Sequence, residues 1–171
     1  MAHYSVILID DESLILESLQ SLIDWAQLDC FIAGTAKNGR QGLKLIRRLR
    51  PHIVVTDIKM PDVSGIEIAE FCAQQLPGTK LIVLSAYADF VFAQSAMRAG
   101  ASNYLLKPLS RNELACAVQK VVSELNTAER SMASRSLAET DFENAMDDDL
   151  NTADAIAAIF ELIREINTLC A

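Results

Sequence analysis

Ser5-Val6-Ile7-Leu8-Ile9-Asp10-Asp11-Glu12 decides the fold: a run of strand character broken off by three acids. Three later stretches repeat its form. Ile53-Val54-Val55-Thr56 runs into Asp57, Leu81-Ile82-Val83-Leu84 ends at Ser85, and Tyr104-Leu105-Leu106 ends at Lys107-Pro108. Continuous apolar runs of this length suit strands buried on both faces of a parallel sheet. In such a sheet the strand C-termini share one edge, and ligands bind in the crevice beside it. The four runs therefore predict a carboxylate pair, a lone carboxylate, a hydroxyl and an ammonium at one site.

Between these runs the sequence takes a helical period. The pattern predicts strands over 4–9, 30–35, 53–57, 80–85 and 102–106. Helices are predicted over 13–25, 39–49, 65–75, 89–99 and 110–124. Five strands alternating with five helices define an α/β doubly wound sheet with right-handed crossovers. Pro51, Pro61, Pro77 and Pro108 all fall between elements, where a missing N–H does least harm. Asp89 and Ser110 stand at N-cap positions, and Gly100 at a helix C-terminus.

The chain has 171 residues and a formal charge of −8, unevenly spread. Residues 1–124 hold 12 Lys+Arg against 13 Asp+Glu, whereas 125–171 hold 3 against 10. The chain therefore shows no basic footprint for DNA or RNA, and no stretch reaches the ~18–20 apolar residues of a membrane span. The N-terminus enters a strand almost at once without a signal peptide, so a cytoplasmic location is expected. Cys30, Cys72, Cys116 and Cys170 are widely spaced, which predicts buried thiols rather than disulfides or a zinc site. His52, beside Pro51, is read as structural.

Grouped together, Asp10, Asp11 and Asp57 repel one another unless a cation joins them. Mg²⁺ suits such a site, since it takes one or two carboxylates together with waters and phosphate oxygens. Lys107 supplies a point charge for a phosphoryl oxygen, and Ser85 a hydroxyl. Gly34 and Gly39 have the spacing of a phosphate-binding loop but lack its Lys-Ser/Thr, so Gly39 is read as opening a helix.

On these residues the segment 1–124 resembles the receiver domain of two-component response regulators, a flavodoxin-like fold of strand order 2-1-3-4-5. Trp25, Asn38-Gly39 and Ser85-Ala86-Tyr87 lean toward receivers that precede AraC-type DNA-binding domains. The resemblance implies Asp57 as phosphoacceptor for a sensor histidine kinase. Mg²⁺ would be held by Asp10, Asp11, Asp57 and the backbone carbonyl of Lys59. Lys107 and Ser85 would bind the phosphoryl oxygens, and Ser85 and Tyr104 would switch the face formed by the fourth helix, fifth strand and fifth helix. Beyond its own phosphorylation and slow dephosphorylation, no enzymatic activity is implied.

Two other classes of protein share part of this pattern. Haloacid-dehalogenase-type phosphatases share a strand-end Asp, Ser/Thr, Lys and Mg²⁺, but need an acid two residues after the nucleophile, where Lys59 stands. An interaction or oligomerisation module with a degenerate pocket conflicts with the intact Asp10, Asp11, Asp57, Ser85 and Lys107 set.

After the receiver segment, residues 125–140 are polar and weakly periodic, a linker or a helical extension. Residues 141–171 form an acidic helical appendage. Asp141 to Ala153 and the stretch after it resemble a fragment of the helical domain of cysteinyl-tRNA synthetases. The fragment has none of that family's catalytic signatures and suggests a fused segment. Ile156, Ile159, Phe160, Ile163, Ile166 and Cys170 recur at spacings of three and four. Such a stripe needs a partner, and antiparallel pairing in a homodimer is expected. No DNA-binding output domain is legible in the chain.

Overall fold

The structure, a computed structural model, describes residues 3–86 and 90–147. The order of elements is β1 Tyr4–Ile9, α1 Ser13–Leu22, β2 Cys30–Ala36, α2 Gly39–Leu49 and β3 Ile53–Asp57. Then follow α3 Gly65–Gln75, β4 Lys80–Ser85, α4 Phe90–Arg98, β5 Asn103–Leu106 and α5 Arg111–Asp147. All strand pairings are parallel and the sheet order is β2-β1-β3-β4-β5, as expected. The chain divides into two units, Met1–Ser123 and the segment from Glu124 onward.

Alternation along the strands sends buried side chains to both faces of the sheet. Ile7, Ile9, Val54, Leu81 and Val83 pack with Ile46 of α2, Ile68, Ala69 and Cys72 of α3 and Ala96 of α4. The alternate residues Val6, Leu8, Ile53, Val55, Ile82 and Leu84 are equally buried on the other face, as are Leu16 and Leu19 of α1 and Leu114, Val118 and Val121 of α5. Each such side chain fully withdrawn from water is worth roughly 1.5–3 kcal/mol. A one-residue slip would exchange the side chains of the two faces and misfit both layers of helix packing.

Polar side chains set the helix boundaries. Asn38 accepts a hydrogen bond from Gln41 N at 2.8 Å and starts α2 at Gly39. A capping box starts α3: Ser64 Oγ accepts from Glu67 N, and Glu67 Oε2 accepts from Ser64 N at 2.8 Å. Ser110 and Glu113 repeat that arrangement at the head of α5. Gly100 takes φ +99° after α4, a left-handed conformation that favours glycine, and its N–H donates to Met97 O. Asp89 lies outside the described residues.

Three expectations need correction. The first helix stops at Leu22 rather than 25, because Asp24 turns its carboxylate back onto Ala26 N and Gln27 N and nucleates a short 3₁₀ turn, Ala26–Leu28. The fifth helix does not end at 124 but runs through 125–140 to Asp147. From Arg111 to Asp147 there is neither Gly nor Pro, so nothing interrupts propagation once the capping box has nucleated the helix. Cys116 is exposed, unlike Cys30 and Cys72, whose thiols burial pushes up to about 11. The apolar stripe from Ile156 to Cys170 falls outside the described residues.

His52 has the structural role expected of it. Its Nδ1 accepts from Ser5 N at 3.1 Å at the N-terminal edge of the sheet, opposite the candidate site.

Candidate phosphoacceptor site

The strand ladders themselves deliver the predicted residues to one edge. Asp10 follows β1 directly and its N–H continues the ladder onto Ala36 O at 3.1 Å. Asp57 closes β3, and the next residue, Ile58, donates to Leu84 O at 2.8 Å. Ser85 closes β4, and its carbonyl accepts from Lys107 N at 2.7 Å. Lys107 follows β5 and is joined to Pro108 by a cis peptide bond.

At that edge one ammonium serves two carboxylates. Lys107 Nζ lies 2.7 Å from Asp10 Oδ2 and 2.6 Å from Asp57 Oδ1. The remaining oxygens are held by backbone: Asp10 Oδ1 accepts from Glu12 N at 3.0 Å, and Asp57 Oδ2 accepts from Lys59 N at 2.8 Å. Asp10 and Ser85 are 0% exposed and Asp57 6%, so these charges sit where water screens them little.

The charges do not balance. Burial is the main cause that lifts the Asp57 carboxyl above its usual value. Lys107 and the Lys59 N–H pull the other way, and the nearby Asp10 charge adds to the rise. Burial also acts to lower the Lys107 ammonium, but its hydrogen bonds to Asp10 and Asp57 and their charges outweigh it, and its pKa is raised. Two neighbouring carboxylates account for the direction at Lys107, and burial that one shared ammonium does not fully offset accounts for the direction at Asp57.

The other predicted residues are placed less centrally. Asp11 is exposed beside Asp10. Lys59 presents its N–H to Asp57, while its Nζ lies 4.9 Å from the centroid of the Phe92 ring on α4. Tyr104 is partly buried against the core shared with α2, α3 and α4, and pairs in register with Val83. Among the described residues no buried side-chain N or O lacks a hydrogen-bond partner.

As a test of Mg²⁺, no group of three or more His, Cys, Asp or Glu side chains is gathered to hold a metal among the described residues. A cage of that kind is not what this ion requires, since it usually takes one or two carboxylates and keeps several waters. Two buried carboxylates with surplus negative charge and an exposed third at the same edge are hard oxygen donors of the right kind, and the residues fit the ion.

Sequence reasoning missed two features. The first is the direct Asp10–Lys107 ion pair. The second is Gly65, where an added Cβ would collide with the backbone oxygen of Asp57. Gly65 N also donates to Ile58 O at 3.0 Å, so the β3–α3 loop closes tightly around the acid. The only signal for this was a glycine directly after a capping serine.

A five-stranded parallel sheet of order 2-1-3-4-5 with this acid–lysine cluster at its carboxyl edge defines a signal-receiver domain. The chain belongs to the response regulator receiver domain family, whose model matches residues 6–119. The family is a signalling module. A second family, the DALR domain, matches residues 141–171, in keeping with the resemblance of that stretch to the helical domain of cysteinyl-tRNA synthetases.

Among curated relatives, the uncharacterized transcriptional regulatory protein YesN of Bacillus subtilis is 35% identical over 122 residues, 71% of this chain and 33% of that protein. The transcriptional regulatory protein HptR of Staphylococcus aureus is 33% identical over 135 residues, 79% of this chain and 52% of its own length. This chain thus spans between a third and about half of these relatives. The solved receiver domain of AraT, a response regulator from Geobacillus stearothermophilus, superposes with a TM-score of 0.71 at 31% identity, covering 75% of this chain and 99% of that one. A two-component transcriptional regulator AraC from Clostridium phytofermentans shares the fold, with a TM-score of 0.68 at 23% identity over 74% of this chain and 98% of that one. No helix among the described residues is long and apolar enough to cross a membrane.

Proposed function

We propose that this chain is the phosphoacceptor receiver of a two-component relay, taking a phosphoryl group from a sensor histidine kinase onto Asp57. The observation that carries this reading is the buried Asp57 carboxylate, whose Oδ1 lies 2.6 Å from Lys107 Nζ in a cluster with Asp10. An Asp57 oxygen would attack the phosphorus of a phosphohistidine. The new P–O bond forms as the P–N bond breaks, and the electron pair returns to the imidazole. The product is an acyl phosphate.

Asp10, Asp11, Asp57 and the Lys59 carbonyl would hold Mg²⁺, which supplies neutralisation of the charge on the transferring group. Lys107, already seated against the acceptor, would follow the negative charge onto the phosphoryl oxygens. The Ser85 hydroxyl would bind another oxygen. Catalysis in such a transfer is mostly positioning and electrostatics, and these side chains are positioned by strand ends rather than by mobile loops. Movement of Ser85 would open space beneath α4 for Tyr104, altering the face made by α4, β5 and α5. The relatives are transcriptional regulatory proteins, so transcriptional control is the proposed output of the whole protein.

Intact-mass spectrometry after incubation with acetyl phosphate and Mg²⁺ tests the assignment. One phosphoryl group adds about 80 Da. The adduct is expected in wild type and absent from Asp57→Ala and from chelated samples. An equal yield in Asp57→Ala would sink the reading.

A further inference from the structure

Between Cys30 and Thr56 the sequence has six Lys/Arg residues and not one Asp or Glu. The six are Lys37, Arg40, Lys44, Arg47, Arg48 and Arg50, and all are exposed along α2 and its two ends. In a chain of net charge −8 this is a segregated positive face. Local acids do little to compensate it. Arg40 has an exposed partner, Asp62, at 3.9 Å, a separation worth little in water.

The face is shaped as well as charged. Arg47 lies 4.9 Å over the Phe71 ring, and with Arg50 it borders a cavity of ≈ 540 Å³ also lined by Gln74 and Gln75. On the edge strand β2, Phe31 is 44% exposed, and Leu49 of α2 is 38% exposed. The register pairs Phe31 with Ser5 and Gly34 with Ile7, which turns Phe31 toward the side of the sheet that α2 covers. A partner for this face needs carboxylates to meet the arginines and apolar side chains to meet Phe31 and Leu49.

The chain's own C-terminal sequence has both. Glu139, Asp141, Glu143 and Asp147-Asp148-Asp149 precede the stripe that begins at Ile156. We propose that the basic face of α2, with Phe31 and Leu49, is the docking surface for the acidic segment 139–166 of a second copy of this chain. Nucleic acid and anionic lipid would also be drawn to the arginines. Neither presents acids and apolar side chains in one adjoining stretch of polypeptide, as residues 139–166 of a second copy do.

Charge reversal in the full-length chain, followed by sedimentation velocity at low salt and tens of micromolar, tests this without reference to phosphorylation. Wild type is expected to self-associate, and to dissociate as salt shortens the Debye length to a few ångströms. Two variants, R47E/R48E and D147K/D148K/D149K, each checked by circular dichroism to be folded, should each associate at least about tenfold more weakly. An equimolar mixture of the two should recover association, because each supplies the charge that the other's reversed surface needs. Monomeric wild type overturns the proposal. So does undiminished association of R47E/R48E, or a mixture that fails to associate. Wild type that binds duplex DNA or anionic vesicles without self-associating overturns it in favour of those polyanions.

Discussion

Lys107 Nζ bridges Asp10 Oδ2 at 2.7 Å and Asp57 Oδ1 at 2.6 Å, although 97 positions separate Lys107 from Asp10. The three side chains carry two negative charges and one positive in a space that water scarcely reaches. That imbalance makes the proposed acceptor site costly to the folded protein, and its cost can be measured.

Asp57→Asn should stabilise the domain. The Asp57 carboxyl is raised above its ordinary value of 3.8, chiefly by burial. The folded state therefore holds a proton more readily than the unfolded chain, and stability falls as pH rises through the interval from 3.8 to the raised value. Below that interval the cost is absent. Urea unfolding with a chelator present should show this decline in wild type and a flatter profile in Asp57→Asn. The variant's melting temperature at neutral pH should be a few degrees higher, the response to about 1 kcal/mol in a domain of this size. An equal or lower melting temperature would contradict the charge imbalance.

Removing the bridge should have the opposite effect. Lys107→Met leaves Asp10 and Asp57 buried without their cation, and stripping one partner from a buried pair costs about 3–5 kcal/mol. Adding Asp57→Asn to Lys107→Met should restore part of that loss, a coupling that a double-mutant cycle reads directly. Strict additivity would mean that the two groups do not share their charge.

Gly65→Ala should damage both stability and phosphorylation. Its Cβ would meet the backbone oxygen of Asp57 and the Ile58 Cα, and backbone cannot move aside as a flexible side chain can. Overpacking of this kind typically costs about 1–3 kcal/mol. Gly78→Ala is the matched control, since nothing lies within 4 Å of its Cβ position. Comparable melting temperatures for the two variants would show that the loop yields.

Ser64→Ala removes one half of the capping box on α3, an effect of about 0.5–2 kcal/mol in comparable caps. Glu67, hydrogen-bonded to Ser64 N and Oγ, is held below its ordinary value of 4.5. Its ionised form is thus favoured in the folded state. That contribution is present above 4.5 and disappears as pH falls through the lowered value. The gap in stability between wild type and Ser64→Ala should narrow on acidification. A gap that stays constant down to pH 3 would separate the carboxylate from the cap.

The sequence by itself determined the sheet, its helices and the edge on which the candidate site residues lie. Buried parallel strands are nearly unbroken apolar runs, so their ends are sharp. Right-handed crossovers then bring every C-terminus to one side, which is why Asp10, Asp57, Ser85 and Lys107 could be grouped by reading alone. Ser110 was legible for the same local reason, as a side chain that must satisfy helix N–H groups within a few residues of itself, whereas the Asn38 cap emerged only with the structure. Other features were decided only by the tertiary structure. Lys107 reaching both Asp10 and Asp57 depends on the register of β1, β3, β4 and β5, and on charges that meet only after the chain has closed. The approach of Gly65 to the Asp57 backbone depends on a loop path that no local pattern encodes. The length of α5 turned on cooperativity, because a polar stretch with no Gly or Pro continues a helix that has already been nucleated. The positive face of α2 was hidden in a near-neutral count for the whole segment, since opposite charges that cancel in a sum remain apart on a folded surface.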